Sequence, residues 1–183
     1  IILLSWLVVT NVAAADLSEV LGGINVQRDV VLEFDELRMS PKLRVPVAVK
    51  GTMVFSSEGI MTKTVIEPFF ESVTISQHTV TLARGKKTRS MSLDARPGLA
   101  AFYSGLRALL SGDVATLERL FDAEVNGSGD HGGRTVRLSP KDAELAQFAN
   151  LLTIIVINSD VRSVRTEQAS GAWQEMVFAP SGP

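Results

Sequence analysis

The sequence predicts an α+β domain dominated by antiparallel β-structure. Three observations carry this reading. Many short runs alternate apolar and polar residues with period two and are separated by turn residues. One stretch, from Pro97 to Leu110, switches to helical spacing. No strand–helix–strand alternation, internal repeat or linker is visible, so the strands form hairpins, not parallel crossover units. At 183 residues, 45% hydrophobic and 21% charged, the chain suits a globular core and one domain.

The elements follow in order. Asp16 to Gln27 reads as a short helix, with Leu17, Val20, Leu21 and Ile24 on one face. "VVLEFDELRM" is a strand with Val30, Leu32 and Phe34 on one face and Glu33 and Asp35 opposite. "VAVKGTMVF" puts Val47, Val49, Met53 and Phe55 together. "IMTKTVIEP" is a strand ended by Pro68, and "SVTIS", "TVTLA" and "RSMSL" are three more. The helix from Pro97 aligns Leu99, Phe102, Tyr103, Leu106, Leu109 and Leu110, with the proline in its first turn. Ser111-Gly112-Asp113 breaks it, and a second helix places Val114, Leu117, Leu120 and Phe121 on one face. "RTVRL", "LLTIIVI", "VRSVRTEQ" and "WQEMVFA" return to strands, with a helical turn in "DAELAQF" after Ser139, a plausible cap.

Between the second helix and the later strands lies "NGSGDHGGR". Gly127, Gly129 and Gly132 have the G-x-G-x-x-G spacing of a dinucleotide-binding turn. That turn works only where a helix begins after the glycines, because the helix N-terminus holds the pyrophosphate. Here "RTVRLSP" follows, a period-two run stopped by Pro140. The stretch is therefore expected to be a hairpin loop, with no nucleotide.

The front of the chain has another character. Ile1 to Val9 is apolar and uncharged, and Ala13-Ala14-Ala15 offers a small-residue cleavage site before Asp16. Residues 1–15 are expected to be a secretory signal clipped at its start, and 16–183 one exported domain. The apolar run is shorter than the roughly 20 residues that span a bilayer, and no later segment reads as a stable membrane anchor. There is no cysteine. Disulfides are excluded, and so is the lipid-bearing cysteine of an anchored bacterial lipoprotein. A net charge of −2 without a basic face argues against nucleic-acid binding.

No set of residues promises catalysis or a cofactor. His78 and His131 lack partners at metal-ligand spacing and read as solvated. Glu33, Asp35 and Glu36 cluster on the first strand, but read as a solvent-facing group. "ARGKKTR", with Arg84, Lys86, Lys87 and Arg89, is a solvated basic turn or a contact for acidic headgroups or an acidic partner. The expectation is a protein that is not an enzyme, with no cofactor and no metal. Around the helical insert stand flexible or aromatic side chains: Met53, Phe55, Phe69, Phe70, Met91 and Phe102. Such residues suit a variable apolar ligand, but by composition alone they read as core.

The order and spacing of "LEFDELR…VPVAVKGTMVF", "TVIEP", "VTISQHTVTL", "LDARPGLAAFYSGLRALLSGDVATLERLF", "RTVRLSPKD" and "VRSVRTEQASGAWQEMVF" resemble the LolA-like outer-membrane lipoprotein carriers, over about Asp16 to Ala179. The resemblance implies an unclosed β-barrel covered by a helical lid. It implies a soluble periplasmic carrier that shields acyl chains of lipoproteins or related lipids and delivers them towards the outer membrane. An apolar cavity and lid would then involve Phe34, Met53, Phe55, Phe69, Met91, Leu99, Phe102, Leu106, Leu110 and Leu117. The best-known members carry a lid-holding arginine on the third strand. Lys63 is the nearest basic residue here, a possible latch without arginine's forked donors. Implied partners are an acylated lipoprotein or other lipid, an inner-membrane release complex and an outer-membrane acceptor, with the carrier a monomer. Other classes are a non-transporting periplasmic interaction module and a lipid-processing enzyme.

Overall fold

A computed structural model of the chain describes residues 17–22, 24, 30–56, 58–127 and 133–179. Eleven strands form one antiparallel sheet. They are β1 (Val30–Met39), β2 (Val47–Phe55), β3 (Met61–Glu67), β4 (Glu71–Ile75), β5 (Thr79–Arg84), β6 (Lys87–Ser92), β7 (Phe121–Asn126), β8 (Arg134–Pro140), β9 (Leu151–Ile157), β10 (Asp160–Glu167) and β11 (Trp173–Phe178). Their order is β6-β5-β4-β3-β2-β1-β11-β10-β9-β8-β7. Every neighbour in each half is a hairpin partner. β1 joins the halves by pairing with β11, from Phe34 opposite Phe178 to Met39 opposite Trp173. The sheet is not closed: β6 and β7 are its free edges.

The chain between those two edges is helical. It holds α2 (Pro97–Ser111) and α3 (Val114–Leu120), with α1 (Leu17–Leu21) near the front and α4 (Ala143–Ala146) between β8 and β9. Inward residues from both halves of the sheet and from all four helices belong to one hydrophobic cluster. The sheet therefore curls around a shared interior, as strands that bury only one face require. This is the antiparallel sheet that the sequence predicts, left unclosed as the family resemblance implies.

Local chemistry explains the helix boundaries. Pro97 supplies the fixed φ of a first turn. Gly112 ends α2 in the left-handed region, at φ 69°, where a side chain would be strained. Asp113 then caps α3, its Oδ1 accepting from the backbone N–H of Thr116 at 3.1 Å. Two expectations need correction. The cap of α4 is Asp142, whose Oδ1 accepts from Glu144 and Leu145 at 2.8 and 3.2 Å. Ser139 stays in β8, held by the ladder to β7. Phe121 is not on the helix face. It opens β7, extended and buried.

The glycine segment joins β7 to β8, which pair from Asn126 opposite Thr135 onward. A strand follows it, as a hairpin requires. Gly129, His131 and Gly132 lie outside the described residues, as do the proposed cleavage region and most of the run from Asp16 to Gln27 beyond α1.

Candidate functional site

The site is the space between α2 and the inner face of β1 to β5. Period two aims Phe34 and Glu36 of β1, Met53 and Phe55 of β2, and Met61, Lys63 and Val65 of β3 to the same side. From above, α2 presents Phe102, Tyr103 and Leu106, the two rings 5.4 Å apart. These residues do not fill the space. A cavity of about 250 Å³ is bounded by Met53, Met61, Ile75, Phe102, Leu106 and Met176, with Arg38, Lys63, Glu71 and Gln174 also on its wall. A second hollow, of about 410 Å³, shares Met61, Ile75 and Tyr103 with it. A third, of about 230 Å³, lies by Phe55 and Leu110 and shares Gly59 and Arg107 with the second. Adjoining hollows thus undercut α2 along its length. A larger depression of about 530 Å³ is bordered by the charged Glu33, Asp35, Lys50, Glu67 and Arg162 together with the apolar Ile66, Val177 and Ala179, and opens on the outer face away from the helix.

An ionic group stands at one end of the apolar lining. The Glu36 side chain is fully buried. Its Oε2 accepts from Lys63 Nζ at 2.8 Å and lies 3.0 Å from Arg38 Nη2. Arg38 Nη1 also reaches Glu71 at 3.4 Å, and Glu71 lies 3.9 Å from Arg84. Lys63 Nζ further contacts Met176 Sδ at 3.2 Å and stands 4.8 Å over the Phe34 ring. Burial pushes the Lys63 ammonium below the usual lysine range, and the Glu36 charge partly counters this. Burial likewise pushes the Tyr103 hydroxyl up. Glu36 Oε1 and Arg38 Nε have no hydrogen-bond partner, which leaves polar capacity unspent inside an apolar wall.

Gly51 makes this corner possible. A Cβ there would overlap the Thr64 carbonyl oxygen and lie 2.8 Å from Phe34 Cζ. Only glycine lets the Phe34 ring lie flat beneath Lys63 while β2 and β3 remain paired.

The structure sorts the candidate residues. Met53, Phe102 and Leu106 line the main cavity, and Phe55 and Leu110 the third hollow. Phe34 lies buried under Lys63. Met91 and Leu99 pack, partly buried, against the core. Leu117 is completely buried and lines none of these three hollows. Phe69 is corrected outright. It is 66% exposed, with Phe70 at 59%, on the turn after β3, so neither lines the interior. The partners of Lys63 belong to β1 and β11, so it secures the floor of the site rather than α2. Glu36 is the residue that the sequence reading misplaced, since it faces inward. Glu33 and Asp35 are exposed as expected, with Asp35 3.5 Å from Lys50. His78 is also exposed, 3.2 Å from Asp94.

Chemically the arrangement can bind but shows no reacting pair. The buried carboxylate is committed to two cations. Among the described residues no three potential metal ligands cluster, and no helix is long and apolar enough to cross a membrane.

Comparison with known proteins gives this geometry a family. No curated protein sequence matches the chain significantly. Solved structures match it at very low identity. A DUF1329 family protein from Desulfovibrio piger is 9% identical, with a TM-score of 0.50 over 90% of this chain and 89% of its own. A LolA superfamily protein from Nitrosomonas europaea is 9% identical, with a TM-score of 0.43 over 91% and 93%. MucB of Pseudomonas aeruginosa, solved in complex with MucA, is 11% identical, with a TM-score of 0.45; the match covers 92% of this chain but 59% of that one. The model of the family described as outer membrane lipoprotein carrier protein LolA-like matches residues 9–182. With nearly the whole chain matched, on a sheet left open between β6 and β7, the protein belongs to the LolA-like family of outer membrane lipoprotein carrier proteins.

Proposed function

We propose that this protein is a periplasmic carrier that shields acyl chains of lipoproteins or related lipids under α2 and delivers them towards the outer membrane. The observation that carries this reading is the row of adjoining hollows along α2, one of them walled by Met53, Met61 and Met176. Space of this kind, walled by Met53, Met61, Met176, Phe102 and Leu106, fits a chain of variable shape. The main cavity alone is below the roughly 300–1,000 Å³ of sites that enclose a small ligand. Loading a whole acyl chain therefore requires α2 to move outward as a lid. Each methylene taken from water contributes about 0.8 kcal/mol, so a dozen hold the cargo by roughly 10 kcal/mol. Release then needs a competing acceptor or an opened lid. The domain would comprise residues 16–183 after removal of 1–15.

Native mass spectrometry of the protein purified after export tests the reading. Co-purified lipid, displaced by a fluorescent fatty-acid probe, is the expected result. Protein that is lipid-free and does not bind the probe would favour a non-transporting interaction module instead.

A further inference from the structure

The antiparallel order sends three turns to one end of the sheet: residues 40–46 between β1 and β2, 68–70 between β3 and β4, and 85–86 between β5 and β6. These turns are unusual in what they expose. Leu43 is 38% exposed, Val45 70%, Phe69 66% and Phe70 59%. Single exposed apolar residues are ordinary, but four large ones on neighbouring tips are not. Among them stand Lys42, Arg44, Arg84, Lys86, Lys87 and Arg89, all exposed. The acids within these segments are Glu67 and Glu71, and Glu71 is already met by Arg38 and Arg84. Six cations against two carboxylates leave an excess of four positive charges, on a chain whose net charge is −2. The turns at the other end, 56–60, 76–78 and 158–159, contrast with this. Counted with the same flanking strand residues, they carry Glu58, Lys63, Asp160 and Arg162, which cancel, and the turn residues themselves expose no large apolar side chain among the described residues.

We infer that the β1–β2, β3–β4 and β5–β6 turns form a docking surface for an anionic lipid bilayer. The apolar tips would sit at the boundary between headgroups and acyl chains, and the basic side chains over the anionic headgroups. That combination is how peripheral surfaces hold a membrane reversibly. A bilayer fits better than a protein partner. The apolar residues stand on two tips, Leu43 and Val45 on one and Phe69 and Phe70 on the other, while the cations stand on the first tip and on the β5–β6 turn, from which Arg84 reaches Glu71 beside Phe70. The surface also adjoins the site described above: Glu71 follows Phe70 in the chain and bonds Arg38 on the cavity wall. The inference does not depend on what the cavity holds.

The test is co-sedimentation of the protein, purified after export, with two kinds of vesicle. One is phosphatidylcholine alone and the other an equimolar mixture with phosphatidylglycerol. Binding to the mixed vesicles is expected to be at least about tenfold tighter, and to fall about tenfold when salt is raised from low to high concentration. Phe69→Ser with Phe70→Ser, and separately Lys86→Glu with Lys87→Glu, should each weaken it about tenfold without changing the melting temperature. Ile155→Ser, at an exposed site away from these turns, should leave binding unchanged. Failure to bind the mixed vesicles, equal binding to both kinds, or binding that both double variants retain would overturn the inference. So would capture of an acidic protein by this surface with no affinity for vesicles.

Discussion

In the half of the sheet formed by β8 to β10, the inward residues Val136, Leu138, Ile154 and Val164 are completely buried. Leu117 of α3 and Leu145 of α4 belong to the same cluster and are equally inaccessible. In the half formed by β1 to β5, the same inward positions hold Glu36, Lys63 and two methionines, Met53 and Met61, and hollows remain beside α2. Both halves are hairpin-built ladders of similar strand length, so backbone pairing does not separate them. The difference lies in the inward side chains. Branched aliphatics interlock and exclude space, whereas methionines and an ion group leave it. One half is packed throughout, and the other is where the proposed function would put a guest.

Substitutions can break this contrast. Leu138→Ala, in the packed half, should cost about 4 kcal/mol in chemical denaturation and leave binding of a fluorescent fatty acid unchanged once folded. Lost probe binding in the folded variant would mean that the halves are not separable. Lys63→Met should cost about 3 kcal/mol, because a buried carboxylate keeps only Arg38 as partner. Adding Glu36→Gln should recover part of that loss, and a double-mutant cycle reads the coupling. Leu106→Gln sharpens the contrast from the other side. Its amide can reach water in the empty cavity, so the delipidated protein should lose only about 1 kcal/mol. Probe affinity should meanwhile fall about tenfold or more, since the chain must desolvate that amide. A large drop in the melting temperature with normal probe binding would instead make Leu106 part of the core. The smallest effect concerns the cap of α3. Hydrogen bonds from the Thr116 side chain and backbone hold the Asp113 carboxyl below its ordinary range. Its contribution is therefore complete above the unfolded-state pKa and is lost as the pH falls through the lower folded value. Asp113→Ala should cost about 1 kcal/mol at neutral pH. The gap from the unaltered protein should narrow in acid, as melts across pH would record.

Much of the fold was legible from alternation alone. The strands and α2 follow their periods, and the glycine-rich hairpin follows from the strand after it. The site was less so. Period two places Glu36 in phase with Phe34, so its inward direction was available from spacing. Its chemical type suggested the opposite, because burying a carboxylate needs partners that spacing does not show: Lys63, 27 residues away, and Arg38. Phe69 and Phe70 misled for the converse reason. Aromatic residues are usually inside, but a turn carries no alternation to fix their direction. Leu117 shows the limit of helical periodicity, which identifies an apolar face without telling what it meets.

The two free edges also bear on how much the protein can hold. In a closed barrel, strand number and stagger fix the radius, so capacity cannot change unless hydrogen bonds break. Here no ladder joins β6 to β7, and the chain between them is helical. The gap can widen while every pair in the sheet stays intact. If the protein carries acyl chains as proposed, it would act as a sling, its girth set by the load.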